Sequence, residues 1–323
     1  MTNVRAENPS MWRRFDPAVT TAFACILVLL LVGSLYSRNF LSPEYLVQQL
    51  KVASFLGVIA SGMMLTILLG QIDLSLPWTL TLGAMMASAA AAHGPIGAAL
   101  SVPFGVFCGV LVGCVNGIGV AYLRIPSMII TLATNAVAQG LMVVYTGGFS
   151  PKDTASAPMR YLATGSAIPG LPNSVLCWVV VGAATVILLN RTIFGRAIYG
   201  IGNRERAVYL SGVDSRRVVM AVFAIAGGAS AFGGTLLAGY ASKAAQAMGD
   251  AYLLPAIAAV VLGGTSILGG KGSYLGTVAG VILITLLQSI LNVMQIAEFG
   301  RQIVYGVVIV AMLLLYGREK LSR

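Results

Sequence analysis

Acid is scarce in this chain. Ten Asp and Glu stand among 323 residues, against twenty Lys and Arg and one histidine, His93. From Glu44 to Asp153 the one intervening carboxylate is Asp73. No carboxylate pair stands at a useful spacing, and HExxH and GxSxG are both absent, so hydrolase chemistry finds no candidate residues. His93 has no partner triad or metal cluster near it and reads as a surface residue. Cys25, Cys108, Cys114 and Cys177 all fall inside apolar runs with no CxxC pair, which reads as small packing residues and not as disulfides or metal ligands.

Charge of either sign is also rare. Charged residues make up 9% of the chain and apolar ones 58%, where a soluble domain carries about a quarter charged residues. That excludes an ordinary water-soluble domain. Runs such as 15–36 and 46–69 approach the roughly 20 residues a helix needs to cross a bilayer. The fold class is all-α, a polytopic helical membrane protein. Hydropathy predicts about ten spans, at 17–36, 46–69, 77–92, 97–121, 126–145, 173–190, 218–239, 252–268, 274–293 and 301–317. The first run follows Arg13 and Arg14 but exceeds a signal-peptide core of about 7–15 residues and lacks a small-x-small cleavage site, so it is read as retained. The whole of 1–323 is expected to be one transmembrane domain, with no soluble domain, fused nucleotide-binding domain or low-complexity tail.

The net charge of +10 invites a nucleic-acid reading, but the cations cap membrane segments and form no continuous basic face. With a cytoplasmic amino terminus, the inside holds Arg5, Arg13, Arg14, Arg124, the six arginines of 191–217, Lys271, Arg318, Lys320 and Arg323. The outside holds Arg38, Lys51, Lys152, Arg160, Lys243 and Arg301. This split of 14 to 6 predicts both termini in the cytoplasm. Ten spans divide five plus five, compatible with an inverted repeat of the kind transporters use. The connection 146–172, rich in Gly, Pro and Ser, reads as an external loop with a short surface helix.

Inside the spans, Gly105, Gly109, Gly113 and Gly117 form a smooth helical face suited to close packing in lipid. Asn116 sits beside it. Thr131, Thr134, Asn135 and Gln139 lie along one stripe of the fifth span, and Thr285, Gln288 and Asn292 along the ninth. Interhelical pairing and a solute pathway both account for such stripes. Asp73, with Ser75 beside it, lies between the helix breakers Gly70 and Pro77. It is either a functional intramembrane acid or the cap of the next helix. Gly269, Gly270, Lys271, Gly272 and Ser273 imitate a phosphate loop, but Thr265 replaces its first glycine and Gly272 follows the lysine. That segment is read as a tight turn.

The segment 191–217 is the one substantial basic loop, with six arginines against Glu205 and Asp214. Asn203 is placed as an N-cap, Glu205 in the first turn, Gly212 as a left-handed terminator, and a short helix is predicted over about 204–211. Ala207, Val208 and Leu210 supply an apolar surface for a soluble partner. The alternative is a plain loop kept basic for topology.

Four stretches, in order along the chain, resemble the membrane permease subunits of bacterial ABC sugar importers of the ribose, xylose and galactose type, in the branched-chain amino acid and sugar permease superfamily. They are 71–77, similar to the family's GGIDLSVG; Asn116 and Gly117 through 123–126 to 131–134; 195–199 through Leu210, Ser211 and Gly212; and 256–266. Departures occur at Gln71, where a second Gly is usual, at Pro77 and Trp78 for Gly-Ser, at 253–255 for Glu-Leu-Asp, and at Glu205 and Arg206 for Pro and Glu. The resemblance implies a bacterial inner-membrane, multi-pass permease that is not itself an enzyme. It implies a second permease copy, identical or paralogous, two cytoplasmic ABC ATPases and a periplasmic sugar-binding protein, in membrane lipid and without nucleic acid. ATP and Mg would be bound by the ATPase, and no cofactor by this chain. Coupling to the ATPase would then fall to Arg196, Asn203, Arg204, Glu205, Arg206, Leu210, Ser211 and Gly212. The pathway candidates are Asp73, Ser75, Asn116, Thr131, Thr134, Asn135, Gln139, Gln288 and Asn292. A nucleoside, polyol or signalling furanose is an alternative solute. An ion-coupled carrier acting alone would need a carboxylate relay that Asp73 by itself does not make. A channel or membrane scaffold would not need the capped basic helix.

Overall fold

A computed structural model describes residues 17–36, 38–149 and 151–321. Phe15, Arg5, Arg13, Arg14 and Arg323 lie outside the described residues, as do the side chains of Arg38, Arg318 and Lys320. The helices are α1 (Pro17–Tyr36), α2 (Pro43–Leu68), α3 (Leu76–Ala91), α4 (Gly94–Ala121), α5 (Ser127–Thr146), α6 (Ala157–Thr164), α7 (Asn173–Arg191), α8 (Ile193–Leu210), α9 (Ser215–Ala241), α10 (Leu253–Leu262), α11 (Tyr274–Val293) and α12 (Glu298–Leu321). Among the described residues there is no β-strand, only isolated bridges at Thr154–Lys243 and Ile168–Leu171. The all-α reading therefore stands.

Nine of the ten predicted spans lie on a helix to within about a residue, and the tenth, 252–268, only in part. Six helices, α2, α4, α5, α7, α9 and α11, combine the length and hydropathy needed to cross a membrane among the described residues. The run 252–268 does not continue as one helix. α10 has ten residues, roughly 15 Å at about 1.5 Å per residue, half of a hydrocarbon core of about 30 Å. Gly263 and Gly264 end it, and the following apolar residues belong to a turn. Hydropathy reads such a run as a span because it scores composition and not backbone.

α2 is the hub. Every residue from Ala53 to Leu68 is buried, so it is apolar all round and packs against α7, α9, α10 and α11. Its start is set by Pro43 in the first turn and by Ser42, whose hydroxyl accepts from Tyr45 N at 3.3 Å. α3 lies against α4 and α9 and is almost wholly buried. α4 buries only the stripe that includes Gly105, Gly109, Gly113 and Gly117. A Cβ on Gly105 would come within 2.6 Å of Gly83 O, and one on Gly117 within 2.7 Å of Met220 Cα. The glycine face is thus a backbone-to-backbone seam, mainly with α9, as the packing reading expects.

The connection 146–172 holds a short helix with an exposed face, α6: Ala157, Arg160, Tyr161 and Thr164 are exposed, while Ser156 caps it, accepting from Met159 N at 3.2 Å, and Met159 and Ala163 are buried against α9. Its apolar positions recur four apart on one face, and that face points into the bundle. Cys25 is exposed on α1 instead of packed, whereas Cys108, Cys114 and Cys177 are half-buried. His93 is exposed at the start of α4, with Nδ1 donating to Ala89 O at 2.9 Å.

Candidate functional site

Between α2 and α3 the chain leaves helical geometry for residues 70–75, with Gly70 at φ 73°. A broken helix inside a bundle strands backbone N–H groups, each costing about 1–3 kcal/mol if left unpaired. α5 supplies the acceptors. Ser127 Oγ accepts from Ile72 N at 3.4 Å, Thr131 Oγ1 from Leu74 N at 3.0 Å, and Asn135 Oδ1 from Trp78 N at 3.2 Å. These three residues are four apart and so share one helix face.

Asp73 serves the same segment from within. Its Oδ1 accepts from Ser75 N at 2.9 Å and Ser75 Oγ at 2.6 Å, an Asx turn at the mouth of α3. Ser75 Oγ in turn accepts from Asn116 Nδ2 at 2.8 Å and from Thr79 Oγ1 at 3.3 Å. Asp73, Ser75, Thr79, Asn116 and Thr131 are all buried, and Asn116 Oδ1 has no protein partner. The cap reading of Asp73 fits its contacts, although it caps the turn and not the second or third residue of the helix.

Five predicted pathway residues thus belong to or bond the stretch 73–78: Asp73, Ser75, Asn116, Thr131 and Asn135. The others do not. Thr134 Oγ1 donates back to Ile130 O at 2.8 Å, and Gln139 is exposed. Gln288 is half-buried and Asn292 exposed on α11, where Asn292 Oδ1 accepts from Arg301. α11 packs on α1, α2 and α10, while α5 packs on α3 and α4, so the two polar stripes belong to different parts of the bundle. Ser127 was missed by sequence reasoning. Its interval of four from Thr131 was the available signal.

α8 crosses the end of the bundle near this break. It begins at Thr192, whose hydroxyl accepts from Gly195 N at 3.0 Å, far upstream of the expected start. Asn203 is no N-cap: its Nδ2 donates to Tyr199 O at 3.0 Å and to Gly270 O at 3.2 Å. The side chain donates where a cap must accept, because the Gly270 carbonyl of a neighbouring turn lies within its reach. Tyr199 Oη also donates to that turn, at Gly272 O and 2.9 Å, and burial pushes its hydroxyl pKa up, keeping it a donor. The turn is held to α2 through Gly270 N and Leu68 O at 2.9 Å. The phosphate-loop look-alike is therefore a bracket for α8.

At Arg204 the helix is interrupted by φ −155° and ψ 96°. Beyond it, residues 205–210 project. Tyr209 is 69% exposed and Leu210 84%. Arg204, Arg206, Ala207 and Ser211 are exposed, as is Arg196 on the first half of the helix. Val208, expected at the surface, turns inward against the core, and Tyr209 takes its place, since the break at Arg204 resets the rotation of the last turn. Gly212 at φ 84° ends the helix in the left-handed conformation. Glu205 faces inward: its Oε1 accepts from Arg124 Nη1 at 3.0 Å and from Ser215 Oγ at 2.9 Å. Leu69, Gln71, Arg124, Glu205, Arg216 and Val219 help line a cleft of about 270 Å³ between α8 and the break.

Residues 45–315 match the family described as branched-chain amino acid transport system / permease component. The ribose import permease protein RbsC of Haemophilus influenzae is 34% identical over 298 residues, covering 91% of each chain. RbsC of Bacillus subtilis is 34% identical over 294 residues, again 91% of each. The autoinducer 2 import system permease protein LsrC of Yersinia pseudotuberculosis is 30% identical over 298 residues, 92% of this chain and 84% of the relative. No solved structure matches.

Proposed function

We propose, from the premise that this chain belongs to the branched-chain amino acid transport system permease family, that it is the membrane subunit of an ATP-driven importer of a ribose-like monosaccharide. Similarity to ribose import permeases over 91% of the chain supports the solute class. The observation that carries the mechanism is the projecting end of α8. Two large apolar side chains, Tyr209 and Leu210, stand exposed on a segment with Arg204 and Arg206. Isolated exposed apolar residues are ordinary, but an aromatic–aliphatic pair on a capped helical tip beside arginines has the makeup of a binding hot spot.

In this reading the tip enters a cleft of a cytoplasmic ATPase, which binds ATP and Mg and performs all the hydrolysis. The face carrying α8 is the cytoplasmic one, in accord with the 14 to 6 charge split and with both termini inside. A binding protein delivers solute to the opposite face, and a second permease copy completes the membrane part. Asp73, Ser75, Asn116, Thr131 and Asn135 hold the broken segment whose movement opens or closes the route. Arg196, Asn203, Arg204, Arg206, Leu210, Ser211 and Gly212 shape or form the docking tip. The 30% identity to an autoinducer 2 permease favours one second reading, the same importer class carrying a different polyhydroxylated solute.

Proteoliposomes with the chain, its cognate ATPase inside and the binding protein outside should take up labelled ribose only with internal ATP. Uptake by the chain alone under a proton gradient would overturn the importer reading. ATP-driven uptake of another sugar, nucleoside or polyol in preference to ribose would retain the importer and replace the solute.

A further inference from the structure

We propose that Arg124 and Glu205 form a strut that carries movement of the α8 tip into the broken segment 70–75. The proposal rests on the reading that the tip seats an ATPase, and it adds what happens once force arrives there. α8 cannot pass that force along as a rigid rod, because Arg204 interrupts it. The half before the interruption is fixed: Ala197, Ile198 and Ile201 are buried, and Asn203 is bonded to Gly270 O. A Cβ on Gly202 would overlap the Leu68 carbonyl, so this half has no room to shift towards α2. A load on residues 205–210 therefore pivots about Arg204, a short element-terminal hinge.

Glu205 is the first residue beyond that hinge. Its carboxylate joins three elements: the tip itself, Arg124 in the α4–α5 turn, and Ser215 at the start of α9. The turn is stiff enough to transmit a push. Arg124 sits at φ 56°, a left-handed backbone that few non-glycine residues adopt. Ile125 N donates to Gly119 O at 3.0 Å, and Pro126 fixes the start of α5. The next residue, Ser127, and Thr131 one turn later accept from Ile72 N and Leu74 N. Displacing Arg124 along this line moves the acceptors that hold the break. The cleft of about 270 Å³ between strut and break leaves space for that motion.

A structural role alone does not explain the pair. Its side chains are 57% and 41% exposed, and an ion pair so open to water adds little to stability. Losing it should leave the fold intact and impair communication, which is a distinguishable outcome.

The test uses the full chain reconstituted with its ATPase and binding protein. It reads ATPase co-purification, melting temperature, and the ratio of solute-stimulated to basal ATP hydrolysis. Arg124→Gln should leave co-purification unchanged, shift melting by less than about 2 °C, and cut the stimulation ratio by about fivefold or more. Arg124→Glu should do at least as much, and combining it with Glu205→Arg should restore roughly half of the ratio. An unchanged ratio in Arg124→Gln overturns the strut. So does a charge swap that rescues nothing. Release of the ATPase by Arg124→Gln would make Arg124 a docking residue, ending the strut and sparing the functional reading. Failure of the unaltered chain to hold an ATPase would instead end the functional reading itself.

Discussion

Residues 193–203 and 205–210 belong to one helix and live in different environments. The first half is fastened by a threonine cap, by Asn203 and Tyr199 bonded to the 270–272 turn, and by three buried apolar side chains. The second half is held at one edge, through Val208 and the Glu205 carboxylate, and offers Tyr209 and Leu210 to the surroundings. The difference separates two jobs that a single helix could confuse. A docking element must be rigidly placed, and it must also keep its apolar contacts unspent until the partner arrives.

This contrast can be broken from either side. The largest effect is expected from Gly202→Leu, where a side chain would drive into Leu68 and Gly270. Overpacking of that kind should cost about 3 kcal/mol, read as a lowered melting temperature and loss of monodisperse protein in detergent. Next comes the double change Tyr209→Ala with Leu210→Ala. It should weaken ATPase binding by about 2 kcal/mol, some thirtyfold, while melting shifts by no more than a surface substitution, about 0.5 kcal/mol. Equilibrium binding to the purified ATPase checks it, and an unchanged affinity counts against the tip.

Asn203→Ala should cost about 1 kcal/mol of stability, because two hydrogen bonds in a partly wet setting are lost. A melting series alongside Gly202→Leu measures it. The smallest effect belongs to Arg206→Glu, a change in an exposed charge. It should slow ATPase association a few-fold at low salt, and the difference should shrink as ionic strength rises past about 0.15 M. A salt-independent effect would mean that Arg206 is buried in the complex and not at its rim.

The sequence made the helices legible because span length and hydropathy are local properties. It failed where the answer depended on neighbours. Thr131 and Asn135 were visible as a stripe, but the same stripe pattern on α11 leads elsewhere. Only the stripe facing the break at 70–75 is spent on stranded N–H groups, and no periodicity says which helix faces it. Asn203 looked like a cap because asparagine is a favoured N-cap residue and Glu205 follows in what would be the first turn. The Gly270 carbonyl that claims its amide is 67 residues away in sequence. Val208 turned inward and Tyr209 outward because a kink at Arg204 rotates the final turn. Gly212 was read correctly, since a left-handed terminator is a local backbone demand that glycine meets at little cost. Arg124 was counted as a topology charge, and only the fold brings it to Glu205.

The account turns on the α8 tip being the surface that meets the ATPase. The most direct measurement places a photo-crosslinking amino acid at Leu210 and, as a control, at the exposed Arg160 beyond the other end of the bundle, then irradiates the assembled complex. The account predicts a covalent product with the ATPase from position 210 and none from position 160. A complex that co-purifies normally but crosslinks to its ATPase from position 160, or not at all from position 210, would contradict it.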